Sequence, residues 1–455
     1  MSRSDDKSND SLGLARRKLL TTVGTGSLLG LAGCIGGASI EDTDGDGVID
    51  SKDYAPRDKS VQERADVKGT AKMTPKTDTP TQTPVQTPTK TLTPTPSSTS
   101  TPVPKPETDY GTITAKNPQV YEGRNYISSY SSTKATIQVV SEDMDGITAN
   151  GNDLLLLLAN FPREQDHEYY RTSFSANDSG YTPIELDLEF PESAKDELVH
   201  FLIFFIDEDV TYESASLSDF TFLGESDPFV VDTDTQNIRR DQPDVLARIN
   251  TEETDYYTRE DAEGAFALSV SGRTKGREWS ASYFVFKSAY ALAVERDHGR
   301  SREEFVSFEM QNGFAGEFAA IISDIALDND FSEKVEQVEF IIDFVQRLPY
   351  VPDDVSTGYN DYTKYTLETL TELGGDCEDT SILLAGILQC EPFGYDMVLI
   401  QPPGHMGTGI YGTDLQGSYW EYDERDYYYI ETTGEGWGIG DYPESLEDDA
   451  YVYQV

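Results

Sequence analysis

The chain has 455 residues, 83 acidic against 35 basic, giving a formal net charge of −48. Such a surface excludes ordinary nucleic-acid binding, which needs cations to displace the counterions held on phosphates. The acid is spread along the whole chain, and its scale fits a halophilic protein kept soluble in concentrated salt, where screening removes the self-repulsion. Three cysteines, Cys34, Cys377 and Cys390, make no disulfide framework. The last two fall on one predicted helix, roughly 20 Å apart at its rise per residue, too far to bridge.

At the N-terminus, Arg16 and Arg17 precede a short run rich in Gly and Thr that ends in Leu31-Ala32-Gly33-Cys34. The run is too short and too weakly apolar to span a bilayer. Residues 1–33 read as a targeting segment. They resemble a twin-arginine signal peptide with a lipoprotein box. The resemblance implies cleavage before Cys34, a lipid on its thiol, and anchorage on the extracellular face of the cell membrane. Within residues 34–69, Asp42, Asp44, Asp46, Asp50 and Asp53 occupy loop positions 1, 3, 5, 9 and 12, with Gly47 at position 6. That spacing wraps hard oxygen ligands around one Ca²⁺, and the glycine permits the sharp turn. The loop is similar to those of EF-hands and, lacking flanking helices, still more to thrombospondin type 3 repeats. Residues 70–108 are dominated by Thr, Pro and Ser. They are expected to form a disordered, extended stalk without a core.

From 109 to 250 the pattern is that of strands. Residues 136–140, 154–158, 184–190 and 201–206 are β-rich runs punctuated by turn clusters such as Asn150-Gly151-Asn152. Ile184 to Phe190 alternates apolar and acidic residues, so one face is buried and one is wet. A β-sandwich-like domain is expected. Its histidines, His167 and His200, read as ordinary surface or edge residues.

From 251 to 455 the periodicity reads as helical, with helices predicted over 280–297, 314–327 and 335–348. Gly374-Gly375 then end one element, and Cys377 opens a helix running to about Cys390. A cysteine at a helix N-terminus feels the positive end of the dipole, which favours the thiolate. Strands are predicted over 395–400, 406–411 and 427–433. His405 follows the Pro402-Pro403-Gly404 turn between the first two, and Glu431 lies near the end of the third. Thiol catalysis needs a nucleophile, a base and an acid to orient the base, and Cys377, His405 and Glu431 supply the three types. The backbone N–H of Cys377 and the Gln346 amide are candidate oxyanion donors. Trp420 and Trp437 are candidate cleft walls.

The segments GGDCEDTSILLAGIL, PPGHMGTGI and YYYIETTGEGW resemble the three motif blocks of the transglutaminase-like superfamily of cysteine enzymes, over roughly residues 335–440. The resemblance implies an α+β fold, with helices packed on an antiparallel sheet, behind the β-sandwich-like domain. It implies Cys377 as nucleophile, His405 as base and Glu431 as orienting acid, with Glu replacing the more usual Asp. Peptidase or amidase action on a protein or peptide substrate is expected, with no cofactor for catalysis. A protein-crosslinking transglutaminase and a non-catalytic surface lipoprotein binding a wall component are the alternatives.

Overall fold

The computed structural model describes residues 71–75 and, from 111 to 455, all but 122–123, 141–151, 164, 174–180, 217–218, 233, 313, 353–361, 414 and 447–448. The targeting segment, Cys34 and the five loop aspartates, Asp42, Asp44, Asp46, Asp50 and Asp53, lie outside the described residues. So does the expected stalk, apart from one strand, β1 (Ala71–Pro75).

The β-rich region is two antiparallel sheets packed face to face. β2 (Thr112–Thr114), β3 (Tyr126–Ser131), β4 (Lys134–Val140), β5 (Asn152–Asn160), β6 (Asp166–Ser173), β7 (Tyr181–Asp187), β8 (Leu198–Asp207), β9 (Phe220–Glu225), β10 (Phe229–Val231) and β11 (Ile238–Arg240) build them. One sheet is β2-β3-β4-β7; the other is β11-β10-β8-β5-β6, with β9 added on β8. β5 is apolar from Leu154 to Ala159, which marks a strand covered on both faces. Leu154, Leu156 and Leu158 face the small sheet. Leu155, Leu157 and Ala159 face the C-terminal half of the molecule. β8 splits in the same way, with Phe201, Ile203 and Phe205 on one side and Leu202, Phe204 and Ile206 on the other. The period of two along each strand thus joins two cores through one sheet. His200 on β8 is fully buried against Phe161, not a surface or edge residue as expected.

A short helix, α1 (Asp244–Ala247), leads into β12 (Glu252–Glu253), β13 (Tyr257–Ala262), β14 (Ala265–Thr274) and β15 (Arg277–Phe286). These four form a further antiparallel sheet. The helix predicted over 280–297 is therefore corrected: its first part is β15, and α2 covers only Lys287–Val294. Residues 280–286 alternate around aromatic and β-branched side chains, and pairing with β14 along its full length decides their state.

Next come α3 (Arg302–Gln311), α4 (Phe314–Asp328), α5 (Lys334–Gln346), α6 (Thr366–Glu372) and α7 (Cys377–Gln389). α4 buries Phe318, Ile321, Ile322 and Ile325, the stripe expected of a helix covered on one side. α7 buries Ile382, Leu383, Leu384, Ile387 and Leu388 among α3, α4, α5 and α6. Cys390 packs against Gly316, whose Cα would carry a Cβ 3.8 Å from its sulfur, so this thiol is a packing group.

The chain ends in β16 (Met397–Gln401), β17 (Gly407–Tyr411), β18 (Ser418–Tyr422), β19 (Arg425–Ile430) and β20 (Asp449–Gln454). β1 pairs with both β18 and β20 and closes the order β1-β18-β19-β17-β16-β20 into a barrel. Trp420, Tyr427, Tyr429, Val398, Ile400 and Val452 fill its interior. The described chain is α+β, with seven α-helices and only antiparallel pairing between its strands.

Candidate active site

The three sequence blocks meet at the N-terminus of α7. Its placement begins with the two glycines. α6 ends on Leu373 in a left-handed conformation (φ 53°), and Gly375 bridges Tyr350 in a parallel pairing. A Cβ on Gly374 would sit 2.8 Å from the Pro349 carbonyl oxygen, and one on Gly375 would sit 2.5 Å from Asp379 Oδ2. Both positions therefore exclude a side chain. Asp376 is the N-cap and, with Asp379, forms a reciprocal capping box: each side chain accepts the other's backbone N–H. Asp379 is fully buried and also accepts the Lys364 backbone N–H at 2.7 Å. That leaves Cys377 at the first helical position, partly exposed, where its own N–H has no intrahelical acceptor.

His405 sits on the turn between β16 and β17, and its backbone N–H donates to Pro402 at 3.1 Å. Its Nε2 lies 2.9 Å and 3.1 Å from the two carboxylate oxygens of Glu431. A carboxylate accepts, so Nε2 carries the proton and Nδ1 is left as the basic nitrogen. Nδ1 has no hydrogen bond among the described residues. The residue after His405 touches the candidate nucleophile: the Met406 backbone N–H donates to the Cys377 sulfur.

Glu431 is buried just beyond the end of β19. Its oxygens also accept from Tyr429 Oη (3.1 Å), the N–H groups of Thr432 and Thr433 (3.0 and 2.9 Å) and Thr433 Oγ1 (2.7 Å). Burial works to raise its pKa, but the bonds from His405 and Thr433 outweigh it and hold the carboxyl below the ordinary range. The extra methylene of Glu relative to Asp is absorbed here, because both oxygens reach the imidazole. Thr432 closes the arrangement, with its Oγ1 2.9 Å from Thr380 Oγ1 and 3.1 Å from Ser381 Oγ on the first turns of α7.

The thiol is a different case. Burial pushes the Cys377 pKa well up, and the carboxylates of Glu378 and Asp376 push it further; the Met406 N–H works against them. Cys377 Sγ lies 3.1 Å from Glu378 Oε2, in the geometry of an S–H donor to a carboxylate. The expected preference of a helix N-terminus for thiolate is corrected on this point, since desolvation and two adjacent negative groups exceed the dipole's effect. Asp379, two residues after Cys377, is turned into the capping box. Glu378 itself is pushed up by burial and pulled down further by Arg302, 3.5 Å away, and by hydrogen bonds, ending below the ordinary range. The ligand-type atoms of Asp376, Cys377 and Glu378 lie within 4.8 Å of one another, a set that could hold a metal ion.

Two further expectations are corrected. Gln346 is not an oxyanion donor. Its Nε2 donates to the carbonyls of Glu431 (2.8 Å) and Trp437 (2.9 Å), spending both hydrogens, while its Oε1 accepts the Gly436 N–H (3.1 Å). Its role is to hold the loop after Glu431. Trp420 is no cleft wall either, being fully buried in the barrel core beside Tyr429 and Tyr442. Tyr429 was missed. It stands on β19 two residues before Glu431, and a Cβ on Gly407 would lie 2.4 Å from its hydroxyl. The period of two was the available signal.

Comparison with protein-family models and with characterised proteins found no match for this chain.

Proposed function

We propose that the chain is a thiol acyl-transfer enzyme of the transglutaminase-like type, acting as a peptidase or amidase through Cys377, His405 and Glu431. One observation carries this reading: a partly exposed histidine bonded through Nε2 to a buried carboxylate, beside a cysteine at a helix start whose sulfur accepts the next residue's N–H. Because burial and the adjacent carboxylates favour the protonated thiol, His405 acts in this reading as general base rather than as half of a preformed ion pair. Nδ1 takes the thiol proton as sulfur attacks the amide carbonyl carbon. The Cys377 N–H is the donor available to the oxyanion. His405 then protonates the leaving amine, and the acyl-enzyme is released by water, with His405 again the base. Attack by a lysine amine instead of water is crosslinking by the same residues. The twin-arginine and lipoprotein-box features extend the proposal to a head anchored outside the cell through Cys34, with Ca²⁺ held by the aspartate loop.

The experiment is alkylation of the described head by iodoacetamide in concentrated salt at neutral pH, with peptide mapping of the label. Faster labelling of Cys377 than of Cys390, slowed at least about tenfold in His405→Ala and in Glu431→Gln, supports the enzyme. Equal, slow labelling of both thiols sinks it. That result would favour a non-catalytic surface lipoprotein, the reading to which the carboxylates beside the thiol lend weight. A fluorescent amine then separates transfer from hydrolysis.

A further inference from the structure

A cavity of about 170 Å³ opens beside the C-terminus of α6, and its walls include Arg248, Arg259, Lys364, Glu372, Val351 and Gly374. Three cations thus face one carboxylate, in a chain whose acids outnumber its bases 83 to 35. Two of the cations are buried and fixed. Arg259, 8 % exposed, donates to the carbonyls of Asn250 (2.7 Å), Thr371 (3.3 Å) and Glu372 (2.8 Å). Lys364, 1 % exposed, donates to the Gly374 carbonyl at 3.2 Å. These bonds serve the end of α6, whose last carbonyls have no intrahelical donor. The Glu372 carboxylate bridges Arg248 and Lys364, 3.2 Å from each. Glu252, Glu368 and Asp379 also approach the three cations, at 3.2, 3.9 and 3.8 Å, but none of them lines the cavity. Arg248 gives Nε to Tyr290 at 2.8 Å and Nη2 to Glu372, and its Nη1 makes no hydrogen bond among the described residues.

We propose that this cavity binds a small dianionic oxyanion, phosphate or sulfate. The lining carries a surplus of two positive charges, which a dianion neutralises. Guanidinium forks match pairs of oxyanion oxygens, and Arg248 Nη1 is a donor ready for one of them. Arg259 and Lys364 are already held in place, so binding orders little that is not ordered before. The volume admits a tetrahedral oxyanion and is too small to enclose a nucleotide. The inference is independent of the acyl-transfer reading.

Titration of the protein with inorganic phosphate in potassium chloride at constant ionic strength, read by ³¹P linewidth, tests it. One phosphate should bind per chain, saturably, and sulfate should displace it. Acetate, a monoanion, should bind at least about tenfold more weakly. Arg248→Gln should weaken phosphate binding at least about tenfold, with far-UV circular dichroism unchanged. Val351→Glu adds a carboxylate to the wall without removing a cation, and should weaken it as much. Absence of saturable binding in wild type, acetate binding as tight as phosphate, or an unchanged phosphate affinity in either variant overturns the inference.

Discussion

Buried carboxylates set the acid–base behaviour of this protein residue by residue, and Glu309 on α3 is the clearest case. Burial pushes its pKa to about 7, with Arg296 and the Thr366 N–H pulling only partly back. Its Oε1 accepts from Thr366 at 3.3 Å, while Oε2 is buried without a hydrogen bond. The folded pKa lies above the ordinary value of 4.5. Between those two values the folded state therefore holds a proton that the unfolded chain has released. The contribution to stability is full below the unfolded pKa and is lost as pH rises through about 7. Glu309→Gln, neutral at every pH, should be more stable than wild type at pH 8 by about 3 kcal/mol, the gap shrinking toward pH 5. Urea titrations across that range check it, and parallel pH profiles for the two proteins would refute it. At the same scale, the chemical types at Cys377, His405 and Glu431 were legible from the sequence, because thiol, imidazole and carboxylate occur there in the order of the motif blocks. The charge state of the thiol was not, since it depends on burial and on which of three neighbouring acids turns toward the sulfur.

Element by element, the N-terminus of α7 is held by sterics as much as by hydrogen bonds. Gly375 lacks a side chain because Asp379 folds back over it to complete the capping box. Gly375→Ala should break the Asp379 bond to the Asp376 N–H and cost about 1–2 kcal/mol. Thermal melting reads that loss. Iodoacetamide labelling of Cys377 reads the accompanying displacement of the helix start, whereas an unchanged melt and rate would mean the turn yields freely. Helix and strand periodicity located α4, α5, α7, β16, β17 and β19 closely. It failed at β15, where aromatic and β-branched residues fit either state and only the partner strand decides. The helix α3 was passed over although Ser301 and Glu304 carry a capping-box spacing, and the structure forms that box.

For the whole molecule, the β-rich region and the C-terminal half are bolted together by a buried ionic cluster. Lys287 Nζ, 2 % exposed, donates to Asp227 and Asp261 at 2.5 Å each and to the Ala262 carbonyl at 2.8 Å. Asp227 lies between β9 and β10 and also binds Lys116 at 2.9 Å. Burial works to raise its pKa, and Lys287, Lys116 and Arg240 outweigh that and hold it low. Lys287→Met leaves a buried carboxylate short of its nearest cation and should cost about 3–5 kcal/mol. The loss should persist in concentrated salt, because buried pairs are poorly screened. Tryptophan fluorescence and far-UV circular dichroism should then lose structure in one shared, earlier transition. Two separate transitions would show that the halves fold independently.

Composition and local pattern alone determined the acidic character, the succession from strand-rich to helical sequence, and the chemical types of the three side chains that meet at the N-terminus of α7. These are properties of residue type and short-range spacing, which need no knowledge of distant partners. Tertiary structure decided the rest. It joined the two cores through one sheet covered on both faces, turned Gln346 and Trp420 inward, left Trp437 partly exposed, and pushed the Cys377 thiol pKa up. Each of those depends on burial and on contacts between segments far apart in the chain, and those long-range contacts set the cost of desolvation that local sequence does not contain.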